Sequence, residues 1–75
     1  MKNPDIYGMT VLLFQAFCIE MYSRHIKKPG PEVYALFRNS GLIELLKTDY
    51  DDLHGMGQEA LMQFLDAYLA KKRAK

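Results

Sequence analysis

MTVLLFQAFCIEMY, residues 9–22, is the stretch that decides the fold of this chain. Thr10, Gln15 and Glu20 are its only clearly polar interruptions. A helix that is apolar on nearly every side must be surrounded by other atoms. In a chain of 75 residues, only the rest of the same small domain or a partner molecule can surround it. We therefore expect this helix to form the hub of the fold.

Length and composition predict one globular domain over residues 1–75. Hydrophobic residues make up 49% and charged residues 25% of the chain, which is an ordinary globular balance. Because the single cysteine, Cys18, excludes an internal disulfide, we expect a cytoplasmic protein with Cys18 in its core. The apolar stretch is interrupted by Gln15 and Glu20, well short of the roughly 20 apolar residues of a membrane span, so no membrane role is expected.

The charges are distributed unevenly along the chain. Four of the ten basic residues lie in the tail at 71–75, so the rest of the chain carries six basic residues against nine acidic ones. Nonspecific affinity for nucleic acids comes largely from clustered Lys and Arg, so a nucleic-acid partner is not favoured. Basic residues at a helix C-terminus interact favourably with the helix dipole, and this explains the tail without a binding role.

Glycine and proline divide the chain into helices. The first helix can be capped by Asn3 or Asp5, with Pro4 in its opening turn, and ends at about His25 or Ile26 before Pro29. The second begins near Pro31 and ends at the turn 39–41, where Gly41 is able to take the left-handed conformation.

The third and fourth helices follow from apolar residues at steps of three and four. The third begins near Leu42 and is open to interruption at Thr48 and Asp49. After the turn at 55–57, the fourth carries the clearest amphipathic stripe of the sequence: Leu61, Phe64, Leu65, Tyr68 and Leu69. No strand-like alternation occurs. The sequence predicts an all-α fold, a compact bundle of about four helices with a central hydrophobic first helix.

The region around His54 offers the nearest approach to a chemical site. A helix over this region would put Asp51 and His54 on one face, where the carboxylate could orient the imidazole. One imidazole and one carboxylate form neither a catalytic triad nor a metal shell. A histidine bonded to a carbonyl at a helix end, beside solvated Asp51 and Asp52, is the simpler interpretation. We therefore predict no catalytic residue, no metal and no cofactor.

The tyrosines favour a role in protein binding. The chain has five tyrosines and five methionines without tryptophan, and tyrosine is enriched at interface hot spots. Tyr7, Tyr22 and Tyr34 are the candidate anchors. Asp51, Asp52 and His54 are candidates for a charged rim facing a basic partner.

Three segments resemble an uncharacterised bacterial family of short helical domains of unknown function. They are FCIEMY at 17–22, EVYALF at 32–37, and YDDLH at 50–54 followed by Gly57. Members of that family are often encoded beside proteins resembling ADP-ribosyltransferases. The resemblance implies a partner of that kind, as in a toxin–antitoxin pair, and supplies no catalytic or ligand-binding residue.

The leading hypothesis is a noncatalytic protein-interaction module, a neutralising or accessory partner of an ADP-ribosyltransferase-like protein. The alternative is a small helix-turn-helix DNA-binding regulator, since short helices joined by glycine turns can present a recognition helix. The sequence leaves a homodimer open, because small domains gain burial by self-association.

Overall fold

A computed structural model describes the backbone of residues 4–73 and the side chains of residues 10–72. Within that part of the chain there is no β-strand, so the all-α class is confirmed. The helices are α1 (Pro4–Ile26), α2 (Gly30–Ser40), α3 (Leu42–Thr48), α4 (Tyr50–Leu53) and α5 (Gln58–Arg73).

The structure has one helix more than the four expected, because the third predicted helix is divided at Asp49. The Asp49 N–H still donates to the Leu45 carbonyl at 2.8 Å, which closes α3. The Asp49 carbonyl then accepts from the Leu53 N–H at 2.9 Å, which opens α4. The interruption that the sequence left open at this position is therefore present.

The ends of α1 follow the prediction. Pro4 is its first residue and Ile26 its last. Lys27 takes a left-handed φ of 59°, which stops the helix, and Pro29 then occupies the N-cap position of α2. Asn3 and the side chain of Asp5, the predicted caps, lie outside the described residues.

The hydrophobic core lies on one side of α1. This helix contacts α2, α3 and α5, which confirms its central position. Its contribution to the core includes Cys18 and Tyr22, and the other helices add Val33, Phe37, Leu42, Leu46, Leu53, Leu61, Met62, Leu65 and Leu69. The apolar stripes predicted for the later helices supply most of this core.

Within residues 4–73, no other helix covers the opposite side of α1. Leu12 and Leu13 are 65% and 66% exposed, and Phe17 is 43% exposed. The sequence left open whether the domain or a partner would surround this helix. The domain covers one side only, because the other helices pack against that side, and we call the exposed side with Leu12, Leu13 and Phe17 the outer face of α1. Polar Gln15 instead points inward, and its amide donates to the Ile43 carbonyl at 2.9 Å.

A polar network joins the end of α1 to α5. The Tyr22 hydroxyl donates to one carboxylate oxygen of Asp66 at 2.7 Å, and His25 Nε2 lies 2.8 Å from the other. The hydrogen bond from Tyr22, followed by that from His25, holds the pKa of Asp66 below its ordinary value. These contacts fix α5 against α1 at the edge of the core.

Gly41 forms the corner between α2 and α3. Its φ of 85° is left-handed, and its N–H closes α2 on the Arg38 carbonyl. A Cβ placed there would meet the Tyr68 hydroxyl at 3.4 Å, and that hydroxyl donates to the Ser40 carbonyl at 3.0 Å. The predicted left-handed turn is therefore confirmed, with α5 packed close against it.

Gly41→Ala should lower the free energy of unfolding by about 1–2 kcal/mol, because an L side chain is strained in the left-handed region. Urea unfolding followed by circular dichroism measures this. Gly55→Ala is the matched control: its φ is not left-handed and no atom lies within 4 Å of an added Cβ. Equal losses in both variants would contradict this account of the corner.

Asp66→Asn should destabilise the protein by about 0.5–1 kcal/mol near pH 7, a modest value because the carboxylate is half exposed. Since the pKa of Asp66 is lowered on folding, its contribution is present above its unfolded pKa of about 3.9 and is lost as the pH falls through the folded value. The difference in unfolding free energy between wild type and variant should therefore shrink below about pH 4.

Urea unfolding of wild type and Asp66→Asn, near pH 7 and again below about pH 4, measures how the difference in unfolding free energy changes with pH. Tyr22→Phe removes one donor and keeps the carboxylate, so it should keep part of the acid dependence. A difference between wild type and Asp66→Asn that stays constant or grows in acid would show that Asp66 does not stabilise the fold as an anion.

Candidate protein-binding surface

A shallow groove of about 410 Å³ runs between the first half of α1 and the segment from α4 to α5. We call it the α1–α4 groove. Its principal lining residues are Leu13, Phe14, Phe17, Tyr50, His54 and Met56. Leu13 and Phe17 are one helical turn apart, so the groove is continuous with the exposed outer face of α1.

Aromatic contacts fix the wall of the groove. Phe14 packs edge-on against Tyr50 with 5.3 Å between ring centroids. Tyr50 in turn stacks on His54, with centroids 4.3 Å apart and the ring planes 7° from parallel. The wall is thus preorganised, which lowers the entropic cost of binding a partner there.

His54 is held by the backbone of its own helix. Its Nδ1 lies 2.8 Å from the Tyr50 carbonyl. Because a carbonyl oxygen only accepts, Nδ1 carries the proton, and Nε2 of the neutral ring is an acceptor. The imidazole is therefore oriented by Tyr50 and not by Asp51. It is a second donor to a carbonyl that already accepts from the His54 backbone N–H at 2.9 Å.

The chain around this wall is acidic. Asp51 and Asp52 are exposed on α4. Residues 49–63 contain four carboxylates and neither lysine nor arginine. The groove is thus lined mainly by apolar side chains, and the helical segments next to it carry mainly negative charge.

The three candidate tyrosines are not brought together. Tyr34 is 45% exposed on α2, where the Arg38 guanidinium carbon lies 5.9 Å from its ring centroid, and it does not line the α1–α4 groove. Tyr22 is only 5% exposed, so it offers little surface to a partner. The side chain of Tyr7 lies outside the described residues.

The described side chains supply neither a reactive thiol nor a metal-binding cluster. Cys18 is fully buried, and burial raises the pKa of its thiol to about 12, far from that of a reactive thiolate. No group of three or more His, Cys, Asp or Glu residues within the described part of the chain is placed to hold a metal ion.

Sequence reasoning did not identify Leu12, Leu13 and Phe17 as surface residues. Their apolar character argued for burial, and α1 is too uniformly apolar for its pattern to indicate which side faces the core. The only available signal was that a chain this short has little material with which to surround such a helix.

Within residues 4–73, no helix combines the length and the apolar character that a bilayer-spanning segment requires. Comparison with known proteins found no match among curated proteins and none among solved structures. A model for the family described as "Protein of unknown function (DUF3791)" matches residues 13–72. Since that match covers most of the chain, including α2 to α4 and most of α1 and α5, the protein belongs to the DUF3791 family.

Proposed function

We propose that the protein is a noncatalytic protein-interaction module, and that the outer face of α1 together with the α1–α4 groove is its binding surface. The observation that carries this proposal is the exposure of Leu12, Leu13 and Phe17 side by side on one helix. Contiguous exposed apolar surface of this kind marks interaction sites.

The groove has the features of an interface core. Leu13 and Phe17 offer apolar area whose burial contributes about 25 cal/mol per Å². The stacked Tyr50 and His54 rings provide a rigid wall for a partner's side chain. Hot spots concentrate at aromatic residues in such pockets, while surrounding charges guide the encounter.

The partner in this proposal is a protein resembling an ADP-ribosyltransferase. This part of the proposal rests on the bacterial family that the sequence resembles. Members of that family are often encoded beside proteins resembling ADP-ribosyltransferases. Occlusion is the mechanism: the α1 face packs over the partner's cleft and neutralises it, as in a toxin–antitoxin pair. The lone buried Cys18 supports a reducing, cytoplasmic setting for the complex.

The DNA-binding alternative has less support. The α2–α3 corner has the short helices of a helix-turn-helix, and Arg38 and Asn39 are exposed on α2. The exposed residues of α3 include Glu44 as well as Lys47, and phosphate binding requires clustered cations. We therefore rank protein binding first.

Leu13→Ser/Phe17→Ser should weaken binding of the partner by at least about tenfold, because each truncated anchor at an interface core costs about 1–2 kcal/mol. Both residues are exposed, so the free energy of unfolding should change by no more than about 1 kcal/mol. Tagged protein captures the partner from lysate after nuclease treatment, and calorimetry with the purified partner then gives the two affinities.

Glu20→Gln/Arg24→Gln is the control on the same helix. It removes the exposed ion pair in which the Arg24 guanidinium lies 2.8 Å from a carboxylate oxygen of Glu20. Both residues follow Leu12, Leu13 and Phe17 along α1. The control should bind like the wild type. Unchanged affinity in the folded Leu13→Ser/Phe17→Ser variant would exclude the α1 face as the binding surface, and Tyr34→Ser would then test the exposed ring on α2.

A further inference from the structure

We infer that the α1–α4 groove is built for a basic amphipathic helix, with apolar anchors in the groove and Lys or Arg side chains towards α4. The inference rests on the proposed function and specifies the chemistry of the partner segment. It follows from the charge and hydrogen-bonding character of the groove's surroundings.

The charged residues next in sequence to the groove's lining residues on α4 and α5 are acidic, although none of them lines the groove itself. Asp51 and Asp52 are exposed on the four-residue helix that also supplies Tyr50 to the wall. Glu59 is exposed in the first turn of α5, next to the lining residue Gln58. A positively charged segment would be drawn to this side, and an acidic one would be repelled.

The polar atoms of the wall also favour a donor-rich occupant. His54 Nδ1 donates to the Tyr50 carbonyl, so Nε2 is an acceptor whenever the ring is neutral. The carboxylates of Asp51 and Asp52 accept hydrogen bonds as well. Lysine and arginine have donors only, and are therefore the complementary side chains.

The apolar part of the groove suits helical spacing. Leu13 and Phe17 are separated by one turn along α1, and Met56 lies on the opposite wall. A second helix laid along α1 presents its own anchors at steps of three and four residues, which match this repeat. The groove is shallow, so such a helix would remain solvated, and free to carry charge, on its outer side.

The test uses two synthetic helical peptides with the same leucine and phenylalanine anchors, one flanked by lysines and the other by glutamates. Fluorescence anisotropy with the full chain should show the lysine peptide binding at least about tenfold more tightly at low salt, with the difference shrinking as salt screens the charges. Asp51→Asn/Asp52→Asn should weaken the lysine peptide by about fivefold.

Glu32→Gln/Glu44→Gln is the matched control, because it removes two carboxylates from α2 and α3, which supply no lining residue to the groove. It should leave the affinity within about twofold. Leu13→Ser/Phe17→Ser should abolish binding of the lysine peptide.

The possible failures are distinguishable. Equal affinity for both peptides, lost in Leu13→Ser/Phe17→Ser, would overturn the basic-helix inference and leave the proposed function standing. Lysine-peptide binding that survives Leu13→Ser/Phe17→Ser would be nonspecific electrostatic attraction and would overturn the inference. Binding of neither peptide would overturn it too, while capture of a natural partner would still test the proposed function separately.

Discussion

The structure depends on one constraint: an apolar helix of 23 residues is packed within a chain of 75. Cys18 and Tyr22 of α1 are buried against α2, α3 and α5. The core-forming residues of those three helices therefore lie on one side of α1. Little chain is left for the other side. The exposed outer face therefore follows from the same sequence feature that organises the core, and it is the face at which we propose that a partner binds.

The polar contacts determine which side of α1 faces inward. Gln15 reaches the Ile43 carbonyl, and the Tyr22 hydroxyl reaches Asp66 on α5. Burying the Gln15 amide or the Tyr22 hydroxyl without its hydrogen-bond partner would cost free energy of folding. Leucine and phenylalanine pack favourably on either side of a helix, whereas Gln15 and Tyr22 reach these protein partners in only one orientation. The two hydrogen bonds therefore favour the observed rotation of α1, in which Leu13 and Phe17 are exposed.

Much of the fold could be predicted from local signals. Proline and glycine marked the helix ends, and Gly41 was identified as the left-handed corner because few other residues accept that conformation. The stripe of α5 predicted its buried face, with Leu61, Leu65 and Leu69 in the core. These features depend on residues that are close together in the chain.

The proposed binding surface was harder to predict because it depends on distant residues. The aspartates and His54 were noticed together in the sequence, but the position of His54 beside Leu13 and Phe17 arises only when α4 packs near α1. The Tyr22–Asp66–His25 network likewise joins residues more than 40 positions apart. Helical periodicity carries no information about contacts at that separation.

The most direct test of this account is the solvent exposure of individual leucine methyl groups, measured by NMR with a soluble paramagnetic agent. In the isolated chain, the Leu12 and Leu13 methyl groups should relax strongly and those of Leu46 and Leu65 should not; adding the partner protein should then protect Leu13. Two results would contradict the claim that the uncovered face of α1 is the binding surface. One is that, in the isolated chain, the Leu12 and Leu13 methyl groups are as protected as those of the core. The other is that a saturating partner leaves their relaxation unchanged.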